Sequence, residues 1–555
     1  MRVDRRRALA LLGMGAATPA VAQAPARYSS AVRFDHGVAS GDPLADRVIL
    51  WTRITPADPK AGEIAYSWRL NPVDRRAGGA RSGQGVTGPG RDWTAKVDVA
   101  GLEPGRAYTF EFQANGVTSP TGRTATLPKG PTKDAVLAVA SCSLYPNGYF
   151  NAYGAIAKLP RVDAVLHLGD YIYEYGGPGT YGMNSPVAGE RPHDPPHEIV
   201  SLADYRRRHA QYKSDPQLQA AHARAPWIVV WDDHETANDA YALGAENHQP
   251  QAEGDWNARK ARAIKAYYEW MPIREPVDGG PAINRAFQFG DLLSLFMVET
   301  RLTARDQQLN YKRDLPDMTD QAKVAAFRAK LADPSRKMMG AAQEAWLAKG
   351  LADSVKSGVT WQVLGNEVVM GSTGAASVAK VYGEDRVKEI LAVDPDVEPR
   401  MAQMDALAEL ELPYSLDMWD GYPADRERVY QAIKAAGAHA IVLAGDSHAF
   451  WANELHDAGG QRVAVEFGTT GVTSPGAGDA IKSFSIGDLY ARSSRDVVFS
   501  DHDAKGFLLL TLTSDEAKAE LMAVSTIHRQ DYETNAKKTF RLKPESTGVS
   551  ALTEA

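Results

Sequence analysis

Cysteine is almost missing from this chain. Cys142 is the only one in 555 residues, so no intramolecular disulfide can form. Long apolar runs are missing too. Outside the N-terminus none approaches the roughly 18 residues that a membrane-spanning helix needs. Positive charge is not in excess: 62 Lys and Arg stand against 69 Asp and Glu, a net charge of −7. A nonspecific grip on nucleic acid, which calls for a basic surface, is therefore not expected. Neither a P-loop nor a dinucleotide fingerprint opening a helix after a strand is present, and no repeat recurs at solenoid periods. Cys142 is not followed by the residues of a phosphatase thiolate loop.

What is present reads as an ordinary globular protein. It is 44% hydrophobic and 24% charged, close to the average for folded domains. Its length predicts two to four domains of about 100–200 residues, enough to bury a large core without staples. The N-terminus is the exception. Arg5-Arg6-Arg7 precedes Ala8-Leu9-Ala10-Leu11-Leu12, and small residues lead to Ala20-Val21-Ala22. A charged region, a short apolar region and a small-x-small site make a cleavable export signal over 1–22. Its paired arginines resemble a twin-arginine signal, which implies the twin-arginine export machinery as a partner, a periplasmic or secreted protein, and no membrane span in the mature chain.

Two grammars follow. Over 30–128, strand-sized runs such as Val48–Ile54, Ile64–Leu70 and Ala107–Ala114 alternate with turn signals, among them Asn115-Gly116. This predicts a β-sandwich of fibronectin or immunoglobulin type, ending in a linker at 127–131. From about 134 to 530, short apolar runs alternate with helical stretches. The runs are Val136–Ala140, Ala164–Leu168, Trp227–Trp231, Leu293–Val298, Trp361–Leu364, Ala440–Ala444 and Val463–Phe467; helices are expected at 201–212, 257–270, 341–355 and 425–437. That is an α/β domain with a large buried sheet. Segments 176–198 and 371–415 read as long loops or lids, and 535–555 as a polar tail that frays.

Polar residues cluster where these strands end. Ser141-Cys142-Ser143, Gly169-Asp170-Tyr171-Ile172-Tyr173, Asp232-Asp233-His234-Glu235, Gly365-Asn366-Glu367 and Gly445-Asp446-Ser447-His448 each follow an apolar run. In open α/β sheets ligands bind beyond the carboxyl ends of the strands, so these residues are expected on one rim. Four ionisable residues in a row behind a buried strand repel one another unless a cation offsets them. Asp170, Asp233 and Asp446 supply hard oxygen donors, His234 and His448 imidazoles, and Tyr173 and Cys142 a phenolate and a thiolate. That set suits hard cations such as calcium, magnesium or ferric iron. A multi-metal rim of this kind points to hydrolysis of a phosphate ester, in which metals activate water and clamp the phosphate oxygens.

Taken together the motifs resemble the PhoD-type alkaline phosphatases and phosphodiesterases, over essentially the whole chain. The resemblance is carried by Phe34–Pro43, Ala140–Ser143, Gly169–Glu174, Asp204–His209, Trp231–Glu235, Tyr267–Pro272 and Gly445–His448. It implies a metallophosphoesterase-like catalytic domain with one ferric iron and two calcium ions. Iron would be held by Cys142, Asp170, Tyr173 and Asp446. Asp170 would bridge towards calcium, with Asp233 and His448 as further ligands and Asn238 as a contact to metal or phosphate. His234 would be the general acid or an electrophilic partner for the phosphate, and Arg301 could fork onto phosphate. Two departures stand out. Glu299-Thr300-Arg301 replaces an expected Asp-Thr-Arg, and Asn366-Glu367 replaces an amide pair, adding a negative charge if it faces the rim.

The resulting expectation is an exported, metal-dependent phosphatase acting on phosphomonoesters and phosphodiesters at alkaline pH, for phosphate scavenging. The competing readings are a phospholipase D-like phosphodiesterase acting on phospholipid or polymer diesters, and a non-enzymatic exported protein that binds phosphate or a polymer.

Overall fold

The computed structural model describes residues 30–74, 78–177, 179–182, 184–276 and 280–555. The expected export signal at 1–22 lies outside them. The fold is mixed α/β and is built on two large sheets. One has ten strands, in the order Thr553–Glu554, Thr534–Leu542, Ala517–Val524, Lys505–Thr513, Asp134–Ala140, Ala164–Leu168, Trp227–Val230, Val38–Gly41, Arg47–Arg53, Thr94–Ala100. The other has seven, in the order Arg285–Phe289, Leu293–Met297, Trp361–Gly365, Ala440–Ala444, Arg462–Gly468, Phe450–His456, Val497–Asp501.

The strand pattern explains how the sheets stack. In a strand successive side chains face opposite ways. Leu293, Leu295 and Met297 join a core shared with Leu137, Val165 and Ile228 of the other sheet, while Phe296 and Val298 face a second core under the helices Ala341–Lys356 and Pro423–Ala436. Ile441 and Leu443 against Ala440 and Val442 divide the same way. Both faces are covered, which is why these strands read as unbroken apolar runs rather than alternating ones. The helices Asn151–Lys158 and Pro216–Arg224 pack together and contribute Tyr153, Ile156, Leu218 and Ala221 to the shared core. The single buried sheet of the sequence reading is thus two sheets face to face.

Over 30–128, a second layer of strands (Gly122–Ala125, Ala107–Ala114, Ile64–Pro72, Arg81–Thr87) faces Val38–Gly41, Arg47–Arg53 and Thr94–Ala100 across a core of Val48, Leu50, Ile64, Leu70, Phe110 and Phe112. Asn115 and Gly116 both have positive φ, at 46° and 80°, the geometry of a tight hairpin turn. The inner layer does not stop at the linker. Gly41 pairs in parallel with Trp227, and the N–H of Asp42 donates to the Trp227 carbonyl at 3.0 Å. A Cβ on Gly41 would stand 2.3 Å from the Pro272 carbonyl oxygen and 2.6 Å from that of Trp227, so only glycine permits this approach. Arg285 closes the seam on Asp42 at 2.9 Å.

Two segments differ from expectation. The stretch 371–415 holds three helices, Val378–Tyr382, Glu384–Val393 and Glu398–Glu409, whose Val378, Ile390, Met401 and Met404 are buried. Most of its acidic residues are exposed while a sparse apolar stripe docks, so composition alone does not reveal the helices. The tail does not fray either. Thr534–Leu542 and Thr553–Glu554 extend the ten-stranded sheet beyond residue 530.

Candidate metal centre

The strands Asp134–Ala140, Ala164–Leu168 and Trp227–Val230 run parallel in one sheet. Leu293–Met297, Trp361–Gly365, Ala440–Ala444 and Arg462–Gly468 run parallel in the other. The loops after them meet. Sulfur of Cys142, a carboxylate oxygen of Asp170 and an imidazole nitrogen of His448 lie within 4.8 Å of one another; so do donor atoms of Asp170, Asp233 and His234, and of Asp232, Asp233 and Asp446. The three groups overlap, sharing Asp170 and then Asp233.

The loops bend sharply to do this. Cys142, Asp170, Asp446 and His448 have φ of 60°, 55°, 57° and 57°, in a region that costs a residue with a Cβ about 1–2 kcal/mol. Strain at four metal-capable residues marks a working site more than a packing solution. Gly169 makes room: a Cβ there would lie 2.3 Å from that of Asp232.

Hydrogen bonds fix the donors. The Tyr173 hydroxyl donates to Asp170 Oδ2 at 2.9 Å, lies 3.3 Å from His448 Nε2, and accepts from Ser474 at 2.6 Å. His448 Nδ1 lies 2.8 Å from the Pro475 carbonyl oxygen, which can only accept. Nδ1 therefore carries the proton, and Nε2 turns its lone pair towards Tyr173 and Asp170, the tautomer a metal ligand needs. Asp233 accepts from the backbone N–H of His234 at 3.0 Å and of Asp239 at 2.6 Å. His234 Nδ1 lies 2.6 Å from Glu174 Oε2. Tyr181 reaches over from the glycine-rich 176–182 segment, its hydroxyl 3.0 Å from His448 Nδ1 and also bonded to the Pro475 carbonyl.

Arg301 is completely buried. Its Nε donates to Asp232, its Nη1 to both oxygens of Asp417 at 2.8 and 2.9 Å, and its Nη2 to Asp446 at 3.0 Å, with Asp233 at 3.9 Å. In this arrangement the guanidinium balances an acidic cluster, and its fork is engaged by carboxylates. The Asn238 amide donates to Glu246 at 3.2 Å, and its backbone N–H donates to Glu174 at 2.7 Å.

Glu299 and Glu367 both point inward but away from the donor groups. Glu299 accepts from the N–H of Arg301 at 2.9 Å, the N–H of Thr303 at 3.0 Å and Trp231 Nε1 at 3.0 Å, so its extra length is used in capping its own turn. Glu367 is fully buried and accepts from the Thr300 hydroxyl. Burial, with Glu299 and Asp232 nearby, lifts its carboxyl well above the usual range.

The donor set fits cations. Burial, then neighbouring carboxylates, pushes Asp170 and Asp446 well above the usual range, although His234 and Arg301 respectively oppose this. Burial likewise lifts Asp232 to about 6. Burial works upward on Asp233 as well, but Arg301 and His234 hold it at about 2. Burial and then Lys505 lower His448 to about 3, leaving it neutral. Burial, then Asp170, raises the Cys142 thiol. Carboxyl and thiol groups that hold protons only because they are buried together exchange those protons for a cation readily. Asp446 and His448 keep some side-chain exposure, at 20% and 13%, which gives the site an opening.

Cys142, Asp170, Tyr173 and His448 stand together, and Asp446 stands beside Asp232 and Asp233. Five participants were given no role from the sequence. Glu174, Asp232 and Glu235 sit inside quoted motifs. Asp417 follows a helical segment and has no strand-end signature. Tyr181 had only the glycines around it as a signal.

The sequence matches the PhoD-like phosphatase family over residues 137–521 and that family's N-terminal domain over residues 20–128. Among curated proteins it is 33% identical to alkaline phosphatase D of Bacillus subtilis (strain 168) over 536 residues, covering 94% of this chain and 82% of the relative. Among solved structures it matches the structure of PhoD with a TM-score of 0.77 and 31% identity, covering 96% of this chain and 93% of that one.

Proposed function

We propose that this chain, which belongs to the PhoD-like phosphatase family and is a phosphoric ester hydrolase, is exported and hydrolyses both phosphomonoesters and phosphodiesters at alkaline pH to release phosphate. The observation that carries the reading is the chain of three overlapping donor groups sharing Asp170 and Asp233. Linked groups of this kind suit several cations in a row. Cys142, Asp170, Tyr173 and Asp446 would hold a ferric ion; Asp170, Asp232, Asp233 and His448 would hold two calcium ions. When bound, these cations supply charge to a phosphate and lower the pKa of water beside it.

The protein's own part is positional. The strand-end loops fix the carboxylates at the strained φ values described above. His234, held at Nδ1 by Glu174, has Nε2 free to protonate a leaving oxygen. Arg301 acts through Asp446 and Asp233, whose charges it balances; a direct grip on phosphate would require it to release one of its carboxylates. The β region at 30–128 packs on the catalytic body.

Elemental analysis of natively exported protein tests the metal assignment. About one iron and two calcium per chain is the expected result, and zinc or magnesium alone would sink the iron site. Asp446→Ala must lose most of its activity; full activity would show that the site is elsewhere. Turnover of a phospholipid diester against a small monoester decides between a general phosphatase and a phospholipase D-like enzyme.

A further inference from the structure

Glu174 belongs to no donor group, yet it is fully buried at the edge of the site. A buried carboxylate needs several partners, and this one has three. Oε2 meets His234 Nδ1 at 2.6 Å. Oε1 accepts from the Asn238 backbone N–H at 2.7 Å and from the Asn247 amide at 2.7 Å. Its own carbonyl accepts from the N–H of Ile199 at 3.0 Å, so backbone and side chain are both tied down. The His234 ring is further held by Tyr173 and Tyr175, with ring centroids 4.2 and 5.1 Å away. The ring therefore has one orientation, and its Nδ1 is committed to a carboxylate.

We propose that Glu174 is a positioning residue for phosphoester hydrolysis. By accepting from Nδ1–H it holds the His234 ring in one orientation and aims Nε2–H at the ester leaving oxygen. The inference rests on the reading of His234 as proton donor. In the step itself a hydroxide oxygen forms a new bond to phosphorus as the P–O bond to the leaving group breaks, the Nε2 proton moves to the departing oxygen, and neutral imidazole remains with its Nδ1–H still bonded to Glu174. The carboxylate is never protonated. This is the division of labour in a carboxylate–histidine pair, where the acid orients and the imidazole transfers. Asn238 and Asn247 serve by leaving Oε2 no freedom to turn away.

The test is a series of phosphate esters whose leaving groups run from 4-nitrophenol to an alkyl alcohol. A good leaving group departs without help, and a poor one needs the proton. Glu174→Gln is expected to lose no more than about 2-fold in kcat/KM on the 4-nitrophenyl ester and about 10–100-fold on the alkyl ester, part of the roughly 100- to 10,000-fold that a positioned general acid supplies. A loss of equal size across the series would mean Glu174 only supports the fold, and would overturn the proposal. His234→Asn on the same series separates the two readings. If it too is flat, or if the protein loses metal, His234 is not the proton donor and that prior reading fails. If it is steep while Glu174→Gln is flat, only the positioning role fails. Should Glu174→Gln not fold, Asn247→Ala removes one of the groups that fix the carboxylate; a smaller loss that still grows with leaving-group pKa supports the proposal, and a flat one overturns it.

Discussion

The carboxylate of Glu235 accepts from the backbone N–H of Asp170 at 3.0 Å, across the gap between two neighbouring parallel strands. It also accepts from Tyr171 at 2.7 Å and from Asp232 at 2.9 Å. One side chain thus ties together the two loops that carry Asp170, Tyr173, Asp233 and His234. In the row Asp232–Glu235, in which the sequence points to Asp233 as a metal ligand, Glu235 is the member whose work is to brace.

Glu235→Ala would leave three buried N–H groups without acceptors, at about 1–3 kcal/mol each. A loss of at least about 3 kcal/mol in unfolding free energy is expected from chemical denaturation, with metal content falling as well. A variant with full stability would mean water replaces the carboxylate without cost.

Arg301→Met removes the cation that Asp232, Asp417 and Asp446 share. Stranding buried charges in this way typically costs about 3–5 kcal/mol. Added calcium should then raise the melting temperature of the variant by more than that of the wild type, because the acids have lost their internal counter-ion. Equal shifts would show that Arg301 does not balance the same charge that a metal would.

Tyr173→Phe keeps the ring against His234 and deletes the hydroxyl that bonds Asp170. A loss of about 10–100-fold in metal affinity or activity is expected, with stability nearly unchanged. If Tyr173 also binds iron, the variant loses any visible phenolate-to-iron absorption along with it.

Glu367→Gln should alter the ratio of monoester to diester turnover by less than about 2-fold, since the carboxyl it replaces is fully buried, bonded to the Thr300 hydroxyl and raised by that burial. The departure from an amide pair that looked like a change of substrate charge preference is chemically a near-match to that amide. A strong shift in the ratio would show that Glu367 ionises in the working enzyme.

Glu466 sets a pH dependence away from the metal loops. Burial lifts its carboxyl from 4.5 to about 7, despite N–H donors from Met370, Gly371 and Asn453. The folded state therefore binds this proton more tightly than the unfolded chain does. Its contribution to stability is complete below about pH 4.5 and is lost as pH rises through about 7. Denaturation midpoints should fall over that window, and Glu466→Gln, which has no proton to lose, should flatten that part of the profile whatever it does to the absolute stability.

The strand ends were legible because two independent signals coincide there: an apolar run of strand length and an abrupt cluster of acids, histidines or cysteine. The assignment of strands to two sheets was not legible, because a strand buried on both faces looks the same in either. Asp417 escaped notice because it reaches Arg301 from the far end of a helical segment, over more than a hundred residues of chain. Glu174 was visible as a letter in a motif, but its bond to His234 joins loops sixty residues apart, and local spacing cannot report that. For Glu367 the sequence gives a formal charge, while the burial that lifts its carboxyl is visible only in the fold.

The parallel seam between Gly41 and Trp227 has a bearing on how the protein can be taken apart. The chain bends at 127–131 as if two modules were joined there, but a cut at that point would still leave Val38–Gly41 hydrogen-bonded beside Trp227–Val230. Pulling the N-terminal portion away would bare a sheet edge on both fragments, and such edges invite misassociation. The two portions are poor candidates for exchange between relatives, since each would need a partner cut to the same seam. During synthesis the N-terminal strands must also wait nearly two hundred residues for that neighbour, a long-range pairing of the kind that slows folding. A protein of this build gains from finishing its fold before it is moved or trimmed.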